Sequence, residues 1–326
     1  MKVSILVLSD STPISPVGAM EVLRKAGQMH SQLGKSKKPF FDVELVGVKS
    51  KRVRTMNKLV IDCEKTIDEV RSTDLLLIPA MEFDIPEKLK INQSVIRHIV
   101  RLKKNGAEVG TMCTGAFLLA STGLLDGKSA TTHWYKAPLF TEMFPKVTLE
   151  DDRIIVDAGG IYTSGGATSS LNLCLYLVEK YCGRETAIFS AKMLLMDPNH
   201  AFQSSYAMFK PQSVHKDDAI AEAQKAIETS KQRLTVELLA DKVNLSKRSF
   251  IRRFKASTGN TPIEYIQRVN VEKVKRRLEE SNDSIGSIIY SIGYNDINSF
   301  RKLFVKYASL SPVEYRRRYG SNLGHP

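Results

Sequence analysis

An ungapped internal repeat near the end of the chain is the feature that most restricts its fold. The segments SFIRRFKASTGNTPIEY (249–265) and SFRKLFVKYASLSPVEY (299–315) align at a spacing of 50 residues, with Phe, Pro and Tyr at matching positions. A short amphipathic segment precedes each copy, at 235–243 and at 284–292. A short helix, a turn and a second, basic helix make a helix-turn-helix. The repeat therefore predicts an all-α domain with two such motifs.

The stretch between the two copies predicts one long helix. It reads PIEYIQRVNVEKVKRRLEES (262–281), and Pro262 suits a first helical position. A helix from Pro262 to Glu280 would be roughly 28 Å long at 1.5 Å per residue. Recognition helices held about 34 Å apart can enter successive major grooves on one face of DNA. We therefore expect this helix to be a spacer between two readers, with Thr235 and Ser246 as N-caps of the flanking helices.

Positive charge is concentrated in the same region. Residues 231–326 carry 19 Lys+Arg and 9 Asp+Glu, a net of +10, whereas the remaining 230 residues carry 29 and 26, a net of +3. Such asymmetry indicates a nucleic-acid-binding segment attached to a near-neutral one. The alternatives are a solvated basic surface, or a basic helical bundle that binds protein.

Apolar and amphipathic runs alternate over the first two hundred residues. Alternating strands and helices predict a mainly parallel sheet covered on both faces, the α/β class with a flavodoxin-like sandwich. The predicted strands are 3–9, 41–48, 74–80, 107–112 and 153–159, and the predicted helices are 18–33, 92–105, 115–125 and 170–182.

Several sequence features that would indicate a membrane, a secreted protein or a metal site are missing. No apolar run reaches the ~20 residues that a transmembrane helix needs, and the start MKVSILVLSD is too short for a signal peptide. The four cysteines have no paired metal spacing and do not resemble a disulfide framework. We therefore expect a cytoplasmic protein without a membrane partner, a metal or a cofactor.

Cys113 lies where a predicted strand ends and a predicted helix begins, in VGTMCTGAFLLASTGLL (109–125). Thr111 and Gly115 flank it at two residues on either side, and small residues there permit the sharp turn of a nucleophile elbow. A cysteine at a helix N-terminus is expected to favour the thiolate, and His133 could supply a base. The alternative for Cys113 is a small buried hydrophobic residue.

The segment MCTGAFLLASTGLLDGKSATTHW (112–134) resembles the elbow region of the ThiJ/PfpI group, within the class I glutamine amidotransferase-like superfamily. The similarity runs over roughly residues 1–195. Enzymes of this group usually carry an acidic residue after the first strand, and Ser15 aligns with that acid. The resemblance implies a ligand pocket without a catalytic residue, in which the small-residue turn SGGATSSLNL (164–173) lies beside the elbow. Its expected lining is Cys113, Thr114, His133, Ser15 and Gly165.

The segment IGYNDINSFRKLFVKYASLSPVEYRRR (292–318) resembles the signature of the AraC/XylS DNA-binding domain, and the similarity covers about residues 220–320. Helix faces and the family pattern separate the roles of the polar residues. The residues expected to face bases are Arg248, Ile251 and Arg252 in the first reader, and Ile297, Asn298, Arg301 and Lys302 in the second. The residues expected to contact phosphate are Lys247, Arg253 and Lys306.

Together the two halves resemble AraC-type transcription regulators with an amidotransferase-like N-terminal domain. We expect an effector-sensing and dimerisation domain at 1–196, a linker at 197–218 and the DNA-binding domain at 219–326. The expected partners are double-stranded DNA, a nitrogen-containing small-molecule effector, RNA polymerase and a second copy of the chain, and the expected effect is activation of transcription. One alternative is an active cysteine hydrolase or lyase tethered to DNA; another is a DNA-organising protein without an effector.

Overall fold

The chain divides into two compact units, residues 1–203 and residues 204–326. The computed structural model describes residues 1–9, 11–81, 84–166, 168–197, 202–209, 212, 215–230, 232 and 234–320. Within these residues, no helix is both long enough and apolar enough to cross a membrane.

The first unit is a seven-stranded sheet between two layers of helices. The strands are β1 (Lys2–Val7), β2 (Asp42–Gly47), β3 (Arg52–Arg54), β4 (Val60–Asp62), β5 (Lys65–Thr66), β6 (Leu75–Ile78), β7 (Glu108–Thr111), β8 (Ser129–Ala130), β9 (Thr148–Leu149), β10 (Ile155–Asp157) and β11 (Ile161–Ser164). The helices are α1 (Ile14–Gln32), α2 (Ile85–Ile91), α3 (Gln93–Lys104), α4 (Gly115–Ala120), α5 (Ala137–Met143), α6 (Ser169–Cys182) and α7 (Arg184–Met193).

The order of the sheet is β10-β11-β7-β6-β1-β2-β5. Every neighbouring pair is parallel except β10 and β11, which are antiparallel. The five inner strands follow the flavodoxin-like order, and one hydrophobic core lies on each face of the sheet. All four residues of β6 are fully buried, as expected for a central parallel strand covered on both sides. The predicted α/β fold class is confirmed.

Three local predictions for this unit were wrong, and one is the helix predicted at 115–125, which is α4 and ends at Ala120. The segment predicted as the last strand, 153–159, contains only the antiparallel edge strand β10. The parallel strand beside β7 is β11, which follows a turn in which Gly159 and Gly160 have φ of +70° and +77°. Helix α1 begins at Ile14 rather than at residue 18, because prolines at its start, Pro13 and Pro16, are tolerated where first-turn N–H groups have no helical partner.

The second unit is all helical and is built from two copies of one motif. Its helices are α8 (Asp218–Thr229), α9 (Val236–Lys242), α10 (Lys247–Thr258), α11 (Pro262–Glu280), α12 (Ile285–Ser291), α13 (Ile297–Ala308) and α14 (Pro312–Tyr319). The predicted spacer helix is confirmed as α11. The predicted N-caps are confirmed too, since Thr235 accepts from the Leu238 amide at 3.2 Å and Ser246 from the Ser249 amide at 3.3 Å.

The two copies share helix α11. Phe250, Phe254 and Tyr265 lie in the first core, while the equivalent Phe300, Phe304 and Tyr315 lie in the second. In the first copy, the Tyr265 hydroxyl donates to Glu228 on α8 at 2.8 Å. In the second, the Tyr315 hydroxyl donates to Glu279 on α11 at 2.7 Å. The C-terminal half of α11 thus accepts the tyrosine hydrogen bond of the second motif, as α8 does for the first. Because both motifs include α11, this helix fixes the spacing of the two reader helices, α10 and α13.

Candidate DNA-binding surface and ligand pocket

The first reader helix, α10, presents one basic face to solvent. Lys247, Arg248, Ile251 and Arg252 line a shallow surface depression along it. Residues three and four apart lie on one face of a helix, so this grouping follows from the sequence spacing. Both arginines are exposed and Ile251 is half-buried against the first core. Lys247 also pairs with Glu237 on α9, with 2.5 Å between Nζ and Oε1. Exposed guanidinium groups on such a face can bind guanine through two hydrogen bonds.

Arg253, which was expected to contact phosphate, forms an ion pair with another residue of the second unit. Its Nε and Nη2 donate to the two carboxylate oxygens of Asp217, at 2.9 and 2.6 Å. Asp217 is the N-cap of α8 and accepts from the Ile220 amide at 3.2 Å. The Arg253 guanidinium lowers the pKa of the Asp217 carboxyl, which therefore stays ionised and paired. Arg253 therefore holds α8 against α10, a contact between residues 36 apart that helix spacing cannot reveal, and its phosphate contact stays a prediction.

The second reader helix, α13, begins with a side-chain cap that the sequence argument missed. Asp296 accepts from the backbone amides of Asn298 and Ser299 at 2.9 and 3.0 Å. Asn298, Arg301 and Lys302 are exposed on the helix that follows.

Two other residues of α13 have mixed environments. Ile297 is half-buried against the second core, and its Cδ1 lies where a Cβ on Gly286 of α12 would be 3.4 Å away. Ile297 therefore also packs between α12 and α13, and its base contact stays a prediction, as it does for Ile251, which is half-buried against the first core in the same way. Lys306 is exposed, and its ammonium lies 5.0 Å from the centre of the Tyr307 ring, a position from which it can still reach a phosphate.

In the first unit, Cys113 forms the predicted elbow between β7 and α4. Its φ is +55°, in the left-handed region that side chains other than glycine rarely adopt. The Cys113 amide donates to the Ser164 carbonyl at 3.0 Å, and Thr132 Oγ1 donates to the Cys113 carbonyl at 3.1 Å. A Cβ on Gly115 would lie 2.6 Å from the Pro79 carbonyl oxygen. The turn therefore needs glycine at this position and is held from both sides.

The protonation states at the elbow are opposite to those expected for a nucleophile. Cys113 is only 5% exposed, and burial raises the pKa of its thiol to about 11 despite hydrogen bonds from Thr114. Helix α4 has six residues, so its dipole is too short to offset this desolvation. Burial and then nearby Lys136 lower the pKa of His133. Both pKa shifts favour the neutral forms, a thiol and an imidazole, which is opposite to the thiolate expected from the helix N-terminus.

The remaining predicted pocket residues are tied into neighbouring loops. Ser15 is fully buried; its hydroxyl accepts from the Ala80 amide at 3.0 Å and donates to Met112 Sδ at 3.5 Å. The position of the usual acid therefore holds a neutral hydroxyl, bonded to the residue before Cys113. Thr114 Oγ1 bonds both the amide and the carbonyl of Met81, at 2.8 and 2.7 Å. These contacts fix the loop after β6 against the elbow.

Gln203 is a residue of this site that the sequence argument missed, since it falls within the segment predicted to be a linker. Its side chain is 2% exposed and lies where a Cβ on Gly165 would be 2.5 Å away. Its Nε2 lies 2.8–3.2 Å from four oxygens, those of Thr131 Oγ1 and of the Thr132, Asp151 and Arg153 carbonyls. Its Oε1 accepts from the Trp134 amide at 3.3 Å.

The loop that carries His133 therefore lies between two groups of contacts. A Cβ on Gly166 would lie 3.6 Å from the His133 ring, and the two residues on either side of His133 are bonded to Gln203. Thr132 bonds Cys113 on one side and Gln203 on the other. Within the described parts of the chain, no group of three or more His, Cys, Asp or Glu side chains could hold a metal ion.

Comparison with known proteins agrees with this two-part organisation. The DJ-1/PfpI family matches residues 1–180 and a helix-turn-helix domain matches residues 239–318. The chain is 23% identical to the HTH-type transcriptional regulator CdhR of Pseudomonas aeruginosa over 95% of this chain and 90% of that regulator. It is 28% identical to the HTH-type transcriptional regulator GlxA of Rhizobium meliloti over 68% of each chain.

A solved structure shares the fold of the first unit. A crystal structure described as a putative transcriptional regulator protein from Vibrio parahaemolyticus superposes with a TM-score of 0.53 at 24% identity, covering 60% of this chain and 98% of that one. The coverage corresponds to the α/β unit. The chain therefore belongs to the DJ-1/PfpI family, whose domain it joins to an AraC-type helix-turn-helix domain.

Proposed function

We propose that this DNA-binding transcriptional regulator reads a specific operator through α10 and α13 and responds to a small metabolite bound at the Cys113 elbow. The observation that carries the proposal is the pair of exposed basic reader helices on a repeated frame, held apart by the single helix α11. A helix of 19 residues is long enough to place two readers in successive major grooves.

We assign base reading and phosphate contact to different side chains. Arg248, Arg252 and Arg301 are suited to guanine and Asn298 to adenine, because their donors and acceptors match the edges of those bases in the major groove. Ile251 is suited to apolar contact with a thymine methyl group, and Lys302 to a guanine. Lys247 and Lys306 contact phosphates, which position the protein without specifying a sequence.

We assign a sensory rather than a catalytic role to the elbow. A neutral, 5% exposed thiol with a hydroxyl, Ser15, in place of the usual acid is a poor nucleophile. The contacts of Gln203 support sensing: a ligand that moves the His133 loop also moves Gln203, and the residue after it, Ser204, begins the second unit. We propose a nitrogen-containing metabolite as the ligand.

We propose a homodimer formed through the first unit, working in the cytoplasm and activating transcription through RNA polymerase. The near-neutral first two-thirds of the chain repels a second copy less than the segment of net charge +10. Two chains double the number of reader helices on DNA, and bivalent binding can raise the apparent affinity about 10²–10⁴-fold. Light scattering tests this: residues 1–203, the first compact unit with Gln203 retained, should be dimeric at tens of micromolar, and a monomer there would contradict the proposal.

DNA reading is tested on an operator selected from random duplexes, by fluorescence anisotropy at several salt concentrations. Arg252→Ala should cost about 1–3 kcal/mol on the selected site and relax one base preference. Lys306→Ala should weaken binding to every sequence and lower the salt slope by about one. Lys255→Ala, an exposed lysine of α10 outside the basic face, is the matched control. Equal losses for Arg252→Ala on selected and random DNA would remove the base-reading assignment.

Sensing is tested by a thermal-shift screen of nitrogen-containing metabolites on the full chain. A ligand present at a hundred times its dissociation constant should stabilise the protein by about 2.7 kcal/mol, and Cys113→Ser should weaken that response. Cys113→Ser should also remove no reaction. A wild-type protein that hydrolyses an amide or an ester, and stops doing so in Cys113→Ser, would instead establish the hydrolase alternative.

A further inference from the structure

A small cavity opens at the carboxyl ends of β1 and β2, and neither DNA reading nor the elbow uses it. Its volume is about 120 Å³, room for roughly four water molecules at about 30 Å³ each. Open α/β sheets bind their ligands at the carboxyl ends of the strands. Its polar lining comes from the segments after β1 and β2, from β3 and from the start of α3, and consists of Ser9, Lys49, Ser50, Arg52, Arg54 and Asn92. We call it the basic cavity.

The charged residues that line the basic cavity are all positive. Three of its lining residues are cations, and none of the described lining residues is acidic. No described side chain pairs with Lys49 or Arg54, and Arg52 has only the carboxylate of Asp62, at 3.9 Å between two largely exposed side chains. Such an exposed pair contributes little. The cavity therefore holds unneutralised positive charge.

Two cations that lie near the basic cavity but do not line it are each paired with a carboxylate. Lys51 pairs with Glu69 at 3.0 Å, and Lys65 pairs with Glu44 at 2.7 Å. Among the described cations of this region, those without a paired carboxylate are Lys49 and Arg54 in the cavity lining and Lys58 on the same hairpin outside it.

The junction of two helices, α2 and α3, forms part of the cavity wall. Asn92 lines the cavity and is the N-cap of α3, a helix of 12 residues, but its side chain makes no capping bond. Instead, its Nδ2 donates to the Lys88 carbonyl at 2.9 Å. Asn92 is also the C-cap of α2, so the carbonyl end of α2 and the amide end of α3 meet at this residue and their dipoles oppose each other; the positive charge of the cavity therefore comes from its cationic side chains.

We propose that the basic cavity binds a small anion, a phosphate group or a carboxylate, as a ligand site separate from the Cys113 elbow. Arg54 and Lys49 supply the charge, and the hydroxyls of Ser9 and Ser50 supply neutral donors. The volume admits one such group. A bound anion would connect the ends of β1 and β2 to the β3–β4 hairpin and stabilise the first unit against unfolding.

The test is isothermal titration calorimetry of the full chain with inorganic phosphate and, separately, with succinate, at an ionic strength held constant with sodium chloride. Arg54→Gln removes one cation of the cavity. Lys58→Gln removes an exposed cation of the same hairpin that does not line the cavity and serves as the matched control. The reader helices are also basic, so any binding that survives Arg54→Gln belongs to them.

We expect one site per chain that Arg54→Gln weakens at least about tenfold, the loss of roughly one charge-assisted contact, and that Lys58→Gln leaves unchanged. Phosphate alone, succinate alone or both as ligands would identify a phosphoryl, a carboxylate or a general anion site. Equal binding by wild type and Arg54→Gln, or no binding above the chloride background, would overturn the proposal. Operator affinity should be the same in Arg54→Gln and wild type, so a failure of DNA binding is a separate result.

Discussion

Replacing Gln203 with methionine tests how firmly the end of the first unit is held against the loop that carries His133. Methionine has nearly the same length and shape but no amide, so the change removes hydrogen bonds with little change in volume. The four oxygens around Nε2 share two hydrogens, and the Thr132 and Arg153 carbonyls are nearest at 2.8 and 3.0 Å. The amide therefore makes two good donor bonds, and Oε1 makes one acceptor bond to Trp134 at 3.3 Å.

These bonds set the expected magnitude. Each of the three contributes about 1 kcal/mol net, and the groups left behind add a desolvation penalty because the site is buried. Part of that penalty is relieved, since Thr131 Oγ1 already donates to the Arg153 carbonyl at 2.9 Å. We expect Gln203→Met to lower the free energy of unfolding of the first unit by about 3 kcal/mol.

Urea unfolding followed by tryptophan emission measures this directly. Trp134 is the single tryptophan of the chain, it belongs to the first unit, and its amide is bonded to Gln203. Hydrogen exchange of the Trp134 amide should also accelerate. Gln28→Met, at an exposed position of α1, is the matched control and should change stability by less than about 0.5 kcal/mol. A loss below about 1 kcal/mol for Gln203→Met would show that the amide is not held as the distances imply.

Gln203→Glu adds a pH dependence with a definite sign. An ionised carboxylate would face three carbonyl oxygens, which disfavour its charged form, so its pKa in the folded state rises above the unfolded value near 4.3. The folded state then binds the proton more tightly than the unfolded state. The variant should therefore be least stable at neutral pH and recover as the pH falls through the raised folded pKa toward about 4. Equal deficits at pH 7 and pH 5 would contradict this.

Three further outcomes are expected. Arg253→Ala and Asp217→Ala should each lower the melting temperature of the second unit, and the two losses should not add in the double variant. Neither change should alter the salt slope of DNA binding. A slope reduced by about one in Arg253→Ala would restore its phosphate contact. Alkylation of Cys113 should keep accelerating as the pH rises toward its pKa of about 11, and a plateau near pH 7 would indicate a thiolate. Gly115→Ala should destabilise the first unit by more than about 2 kcal/mol in urea unfolding, because its Cβ would lie 2.6 Å from a carbonyl oxygen; wild-type stability would show that the elbow can relax.

The second unit was the more predictable part of the fold because its signals are local. Helix α11 runs from Pro262 to Glu280 as expected, since a proline start and a sustained apolar period are both contained in the segment itself. The partner of Arg253 could not be predicted in this way. Helix spacing identifies the face on which a side chain lies, whereas the pairing with Asp217 depends on how α8 packs, 36 residues away.

In the first unit, position was predictable and environment was not. The flanking small residues placed Cys113 at a tight turn, and its φ of +55° agrees with that. Its pKa depends on desolvation by the surrounding loops, which no neighbouring residue in the sequence reveals. Gln203 shows the same limit, because a polar residue in an irregular segment gives no sign that its amide is buried against Gly165.

The two reader helices are attached to the rest of the second unit by different means. At the position of Arg253 in the first copy, the second copy has Leu303, half-buried against its core. Both reader helices contact α11: the Phe254 ring of α10 lies 5.2 Å from the Tyr265 ring, and the Tyr307 hydroxyl of α13 donates to Gln267 at 3.0 Å. The first copy adds the ion pair, which holds the separate helix α8 against α10. Helix α8 begins at Asp218, and the residues before it, from Ser204 onward, belong to the second unit. The residues just after Gln203 also contact the second copy: Ser204 Oγ lies 2.5 Å from Oγ of Ser309, the C-cap of α13, and Lys275 Nζ on α11 donates to the Ala207 carbonyl at 2.8 Å. We therefore expect a displacement there to act on the second copy directly, and on α10 through α8 and the Asp217–Arg253 pair.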